Sequence, residues 1–181
     1  MDMKIALLLL ALTSPVCAQQ LPDLSSVQGQ LSAAVKAAPF KRYVQPRHDL
    51  QCIFSGVLRI MGKPARAEVP MPPLFLEDKT PLGQFQDAVE PQWNMRPDVF
   101  LNVYIAARNE IYVLNQAEYY EKVGRFVDDS IAHELVHYVQ VRYSNIPIEQ
   151  FDDSMEGEAI SVQTDFRERY MKPAVSPCAE R

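Results

Sequence analysis

The chain has few of the residues that most often build metal and redox sites. Its 181 residues include three histidines and three cysteines, and no two cysteines stand in a Cys-x-x-Cys arrangement. A zinc site built from cysteine thiolates is therefore excluded. Basic residues are also in deficit, with 18 lysines and arginines against 23 aspartates and glutamates. The resulting net charge of −5 argues against nucleic acid as a partner.

Long apolar runs are missing too. The apolar run from Ile5 to Leu12 has eight residues, whereas a membrane-spanning helix needs about 20. A charged start, this short run and the small residues that end at Ala18 are typical of a secretory signal peptide cleaved after Ala18. We therefore expect a secreted or periplasmic protein without a membrane span, in which residues 19–181 form a single domain.

Two of the three cysteines, Cys52 and Cys178, lie beyond the predicted cleavage site. In an oxidising compartment an even number of cysteines favours one disulfide over two buried thiols. The bond would join the C-terminal tail to residues 51–61, which we interpret as a strand.

The rest of the pattern predicts the α+β class, in which several helices accompany a small sheet. In the N-terminal half we expect a helix with apolar positions between 24 and 35 and an irregular Pro-rich connection at 62–83. Two strands around a turn should follow at 99–106 and 111–114. Three more helices are expected: one at 116–123 ended by Gly124, one capped by Asp128, Asp129 or Ser130 that runs to about 143, and one from 153 or 154 to about 171.

The most informative pattern is His133-Glu134-Leu-Val-His137. Positions four apart lie about 40° apart around a helix, so both imidazoles can reach one zinc ion. The apolar residues of this helix spread over the other half of its circumference, so we expect it to bury one face and to present both histidines on the opposite one. Glu134 points to the side, where it can activate a metal-bound water.

A zinc site of this kind needs a third protein ligand and an open fourth position. One known continuation, the metzincin pattern, places a glycine three residues and a histidine six residues after the second histidine. Those places hold Gln140 and Tyr143, so this pattern is excluded. The remaining histidine, His48, lies far upstream and shows no ligand spacing.

An acidic segment on the following helix supplies another ligand. Residues 155–159 read Met-Glu-Gly-Glu-Ala, with Glu156 nineteen residues after His137. Together with the His-Glu-Leu-Val-His motif, this segment resembles the Glu-x-x-Ala-Asp segment of the small gluzincins, zinc peptidases to which thermolysin is more distantly related. The resemblance covers about residues 98–172 and puts the third ligand at Glu156. It implies a zincin-like fold, in which a small antiparallel or mixed sheet packs against the motif helix and a following C-terminal helix.

A helical projection favours the same residue. Glu156 falls inside the apolar sector of its helix, where a carboxylate is costly unless it is paired or bound to a metal, whereas Glu158 lies at the edge and can face solvent. The sector consists of Ala159, Ile160, Val162, Phe166 and Tyr170. Glu158 stays open as an alternative ligand, as do Asp152, Asp153 and Asp165.

The resemblance also implies a reaction, the zinc-dependent hydrolysis of peptide bonds in a peptide or protein substrate. Zinc activates a water and polarises the scissile carbonyl, and Glu134 acts as the general base. Gluzincins often use a downstream histidine or tyrosine to stabilise the oxyanion, which makes Tyr143 and Tyr170 the candidates here. The substrate would lie along an edge strand before the motif helix, either residues 111–114 or their hairpin partner.

One position departs from the family pattern. The aspartate expected four residues after the third ligand, which orients a ligand histidine, is Ile160 in this chain. Gln163, Asp165 or a backbone carbonyl is left to take that role.

Two other functions stay open beside the peptidase. One is a zincin-fold binding protein with little or no catalysis, and the other is a zinc-free domain with an accidental motif. Glu134 favours the enzyme, because a structural zinc site does not need a general base. No pattern in the sequence indicates an oligomeric state.

Overall fold

The computed structural model describes residues 41–144, 146–147 and 153–179. Within these residues five α-helices accompany one three-stranded sheet, which confirms the α+β class. The predicted signal peptide and the helix expected between 24 and 35 lie outside the described residues. No helix in the described ranges is long and apolar enough to cross a bilayer.

The elements follow one another in the order α1 (Leu50–Ile60), β1 (Leu74–Leu76), α2 (Leu82–Trp93), β2 (Val103–Ile105), β3 (Glu110–Val113), α3 (Ala117–Val123), α4 (Val127–Arg142) and α5 (Glu156–Phe166). Short 3-10 turns at Glu77–Lys79 and Asp153–Met155 precede α2 and α5, and a π-helical turn at Arg167–Met171 continues α5. The three helices predicted in the C-terminal half are confirmed. The predicted cap of α4 is wrong, because the helix begins at Val127 and its first turn contains Asp128 and Asp129.

The sheet has the strand order β1–β3–β2, so β3 lies in its centre. β1 runs parallel to β3, with Phe75 opposite Tyr112, and β2 runs antiparallel to it, with Tyr104 opposite Ile111. β2 and β3 are the two strands predicted around a turn. Because β3 has a neighbour on each side, it is not the edge strand that we considered for a substrate, and β2 is the member of the pair that lies at an edge.

Residues 51–61 lie almost wholly in helix α1, so the strand that we expected there is wrong. The Asp49 carboxylate accepts a hydrogen bond from the Cys52 N–H and caps the start of the helix. The buried residues recur at helical rather than alternating spacing, and they are Ile53, Phe54, Gly56, Val57 and Leu58. One apolar stripe of this kind is buried only when the segment is helical.

The C-terminal tail returns to α1. Cys52 and Cys178 form a disulfide with their Cα atoms 5.0 Å apart and 126 positions apart in the chain, which confirms the predicted pairing. Close by, a Cβ atom placed on Gly56 would lie 2.9 Å from the Phe166 ring and 3.1 Å from the Tyr170 ring. The close approach of α1 to α5 and its π-helical continuation therefore requires glycine at this position.

Helix α4, which carries the His-Glu-Leu-Val-His motif, runs through the core. It contacts β2 and β3 of the sheet as well as α1 and α5, and 14 of its 16 residues are buried. Burial of this helix therefore extends beyond the one face that we expected to be buried. The reason is α5, which packs along α4 and covers the histidine side as well.

Candidate metal centre

Three side chains with metal-binding atoms meet where α4 and the start of α5 lie side by side. The Nε2 atoms of His133 and His137 are 3.1 Å apart. The Glu156 carboxylate places Oε2 at 3.2 Å from His133 Nε2 and Oε1 at 3.2 Å from His137 Nε2. In the described part of the chain, this is the group of histidine and acidic side chains that can hold a metal ion.

These distances match those between the ligands of one zinc ion. Zn–N and Zn–O bonds of about 2.0–2.1 Å in a tetrahedral arrangement separate two ligand atoms by about 3.3 Å. Two imidazoles and one carboxylate are also a donor set found in zinc sites that keep an open position. The three side chains thus fit a zinc ion both in spacing and in chemistry.

Glu156 reaches the histidines because it is the first residue of α5, directly after the 3-10 turn. Its side chain is 46% exposed, so our expectation that it points into an apolar face is wrong. Ile160, which we placed in the same apolar sector, is 51% exposed. The contact of Glu156 with both imidazoles, rather than its burial, is what distinguishes it from the other acids.

The alternative ligands make other contacts or lie outside the described residues. Glu158 accepts a hydrogen bond from the side chain of Gln140, and Asp165 forms an exposed ion pair with Arg169. Asp152 lies outside the described residues, as does the side chain of Asp153. Of the described acids proposed as the third ligand, Glu156 is the one that the structure brings to both histidines.

The charges of the site act on one another. Hydrogen bonds with His133 and His137 hold the pKa of Glu156 far below its usual range. Burial lowers the pKa of His137, but the hydrogen bond with Glu156 and the charge of Glu134 outweigh that effect, so this pKa is raised overall. The two carboxylates therefore favour positive charge at His137, and the same field favours a bound cation.

Glu134, on α4, lies beside the group formed by His133, His137 and Glu156. It is 4% exposed, and burial raises the pKa of its carboxyl group, although the nearby His133 and His137 act to lower it. The backbone N–H of Tyr104 on β2 donates a hydrogen bond to this carboxyl group. Glu134 is thereby held between the sheet edge and the histidine pair, with the pKa of its carboxyl group raised by burial.

Gln140 is a site residue that our sequence argument missed. Its Oε1 lies 2.9 Å from His137 Nδ1, and its Nε2 donates to the Met155 carbonyl oxygen and to Glu158 Oε2. We considered Gln140 only as the residue that excludes the metzincin pattern. Its position three residues after His137 on the same helix was the signal for this contact.

The residues proposed to replace the missing aspartate do not contact the histidines. Gln163 donates to Asp129, which also receives a hydrogen bond from Arg167. Asp165 belongs to the exposed ion pair with Arg169. The contact with His137 is made instead by Gln140, whereas His133 Nδ1 is buried without a hydrogen-bond partner among the described residues.

The outer edge of β2 is covered by one glutamine side chain. The Gln92 Nε2 donates to the Tyr104 carbonyl oxygen at 3.1 Å, and its Oε1 accepts from the Ala106 N–H at 3.2 Å. A neighbouring strand would engage the same two backbone groups with an N–H and a C=O group of its own backbone. Gln92 therefore occupies the position of a neighbouring strand. The Tyr104 N–H on the same edge of β2 donates to Glu134.

The two tyrosines considered as oxyanion donors lie in other contacts. The Tyr143 hydroxyl accepts a hydrogen bond from the Arg66 N–H at 3.2 Å, and its ring packs edge-on against Phe54. The Tyr170 hydroxyl accepts one from Arg59 at 3.0 Å. Tyr170 also follows Glu156 by 14 residues, which corresponds to about 20 Å along a helix. The described contacts thus do not bring either tyrosine to the ligand group.

The third histidine has a different partner. His48 Nδ1 lies 2.9 Å from the buried carboxylate of Asp128, which also accepts hydrogen bonds from the backbone N–H groups of Arg47 and His48. These contacts hold the segment before α1 against the first turn of α4. His48 is thus engaged away from His133 and His137, in agreement with the absence of ligand spacing in the sequence.

Comparisons of the chain with protein-family models, with curated proteins and with solved structures find no match. The residues of the site are therefore the basis for inferring a function.

Proposed function

We propose that this chain is a zinc-dependent peptidase of gluzincin type, in which His133, His137 and Glu156 hold the metal. The observation that carries the proposal is the spacing of 3.1–3.2 Å between the ring nitrogens and carboxylate oxygens of these residues, with the buried Glu134 beside them. A sheet edge, a motif helix and a following helix that supplies a glutamate also support a zincin-like fold.

The chemistry follows from the roles that the side chains can take. A zinc ion held there polarises a peptide carbonyl and makes water more acidic. Glu134 accepts the proton of the attacking water as it adds to the carbonyl carbon. It then returns this proton to the amine nitrogen as the C–N bond breaks. Its position between β2 and the histidines supports this role.

The disulfide supports a secreted or periplasmic location, because such bonds persist in oxidising compartments. A peptidase in such a compartment acts on peptides or proteins that reach the same space. We therefore propose a peptide or protein as the substrate and zinc as the cofactor.

The metal site is tested by zinc content and zinc affinity of the purified chain. We expect about one zinc per chain in the wild type and in His48→Ala, since His48 contacts Asp128 instead of the ligand group. The double variant His133→Ala/His137→Ala should lose the metal. A wild-type protein that stays metal-free when zinc is added would refute the site.

The proposed peptidase activity and the role of Glu134 are tested with a library of peptides of diverse sequence. Wild type should cleave some of them in a reaction that a chelator stops and zinc restores. Glu134→Gln should retain zinc and lose at least about a hundredfold in kcat, because general-base catalysis contributes about 10²–10⁴. Cleavage by Glu134→Gln at the wild-type rate would contradict the assigned role.

One observation favours a second function, a zincin-fold binding protein with little catalysis. Gln92 already engages the β2 backbone groups with which an extended substrate would pair. This function predicts zinc binding without cleavage of any library member. Chelator-sensitive cleavage of any library member would favour the peptidase over the binding protein.

A further inference from the structure

The contacts of Gln140 define the orientation of its side-chain amide. Gln140 is 3% exposed, and its Nε2 faces two acceptors, the Met155 carbonyl oxygen at 3.1 Å and Glu158 Oε2 at 2.9 Å. A carbonyl oxygen and a carboxylate oxygen accept hydrogen bonds and do not donate them. The amide nitrogen must therefore point towards them, and the amide oxygen must face His137.

This orientation selects one tautomer of His137. A Gln140 oxygen at 2.9 Å from His137 Nδ1 accepts a hydrogen bond, so the Nδ1 atom must carry the proton. In the neutral ring, a proton on Nδ1 leaves the lone pair on Nε2, the atom that faces His133 and Glu156. A neutral imidazole ligand needs this state, because the nitrogen that binds the metal cannot be protonated.

We propose that Gln140 is the positioning residue of the metal site, and that it orients His137 for zinc in place of the carboxylate that position 160 lacks. The inference rests on the proposed zinc site and deepens it. Gln140 is in turn held by Glu158 and by the backbone just before Glu156. One buried side chain thereby connects a ligand on α4 to the turn that presents the ligand on α5.

The main test compares two buried glutamines. Gln140→Met removes the hydrogen-bonding groups and nearly keeps the volume, and Gln163→Met does the same at a glutamine that contacts Asp129. Zinc affinity is measured by competition with a chromophoric chelator. We expect Gln140→Met to bind zinc about 10- to 100-fold more weakly than wild type, whereas Gln163→Met should bind it nearly as wild type does.

A second pair of variants separates orientation from packing. Gln140→Glu alone faces the Glu158 carboxylate and should bind zinc weakly because the like charges repel each other. The double variant Gln140→Glu/Glu158→Gln gives the His137 Nδ1–H a carboxylate acceptor at position 140. It also gives that carboxylate an amide donor at position 158. Its zinc affinity should therefore return close to the wild-type value. This comparison keeps the inference testable even if Gln140→Met does not fold.

The tautomer itself can be observed by NMR of ¹⁵N-labelled histidine rings in the zinc-loaded protein. We expect a slowly exchanging Nδ1–H signal of His137 in wild type and in Gln163→Met, and its loss in Gln140→Met. Equal affinity and equal ring signals in Gln140→Met and wild type would overturn the inference, as would an exchange variant that binds zinc no better than Gln140→Glu. If wild type binds no zinc at all, the proposed function fails first and the inference fails with it.

Discussion

Gln92 and Tyr104 are joined at the outer edge of β2, where the Gln92 amide donates to the Tyr104 carbonyl oxygen. The same amide accepts from the Ala106 N–H, and both Tyr104 and Ala106 are fully buried. A side chain thus satisfies two backbone groups at a sheet edge that would otherwise lack partners there. Edges of this kind are costly to bury and prone to pair with other chains when they are open.

We predict that Gln92→Met lowers the free energy of unfolding by at least about 2 kcal/mol, because a buried polar group left unsatisfied costs about 1–3 kcal/mol. Urea denaturation measures the effect. The control is Gln86→Met on the same helix, which removes a single hydrogen bond to the Pro97 carbonyl oxygen and should cost about 1 kcal/mol. Equal losses in the two variants would show that the edge is not held by Gln92.

We predict that zinc stabilises the folded chain, since the three ligands meet only in the folded state. Free zinc at 100 times its Kd should raise the free energy of unfolding by about 2.7 kcal/mol. Thermal or urea denaturation with zinc and with chelator measures this difference. It should be present in His48→Ala and absent in His133→Ala/His137→Ala, and a difference that persists in the double variant would place the zinc elsewhere.

We predict that Gly56→Ala destabilises the protein although alanine is the better helix former. Helix propensity favours alanine by about 1 kcal/mol, but the new methyl group would lie 2.9 Å from the Phe166 ring. Overpacking of this kind costs about 1–3 kcal/mol. The control is Gly83→Ala, because nothing lies within 4 Å of a Cβ there and Gly83 is also helical. The prediction fails if the two variants have the same free energy of unfolding.

We predict a pH-dependent contribution of Asp129 to stability. Burial raises the pKa of its carboxyl group above the ordinary value of 3.8, even though Arg167 and Arg125 act against this shift. Above pH 3.8 the unfolded chain releases this proton while the folded chain still holds it. The free energy of unfolding therefore falls as the pH rises from about 3.8 to just above the raised pKa, and then stays level.

Asp129→Asn removes this contribution, and the other groups stay the same in both proteins. The stability of wild type relative to the variant should therefore be greatest at low pH and decline as the pH increases to neutral. Urea denaturation of both proteins between about pH 3 and 7 measures this difference in the free energy of unfolding. A difference that does not change with pH would contradict the raised pKa.

The parts of the site that the sequence predicted are those defined by short spacings. His133, Glu134 and His137 lie within two helical turns, so the geometry of one helix relates them. Glu156 was chosen because residues 155–159 resemble a gluzincin segment at a suitable distance after His137. The additional argument, that Glu156 points into a buried apolar face, was wrong. Its carboxylate is half-exposed because it stands at the start of α5, a position that helix angles alone do not reveal.

The parts that the sequence did not predict depend on tertiary packing. Composition suggested a strand at residues 51–61, whereas the residues that are buried follow the helical period of α1. The histidines of α4 were expected on the face opposite the buried one, and that face is packed against α5. The contact between Gln92 and β2 joins residues 12 positions apart across two elements, and no local pattern indicates it.

The disulfide has a topological consequence for this molecule. The bond between Cys52 and Cys178 closes a covalent ring of the chain that contains the sheet, α4, His133, His137 and Glu156. A single peptide bond cut anywhere inside this ring would open the ring but leave one molecule, whose fragments separate only under reducing conditions. For the secreted peptidase proposed above, a cut by another protease or by a copy of the same chain would therefore leave His133, His137 and Glu156 on one connected molecule.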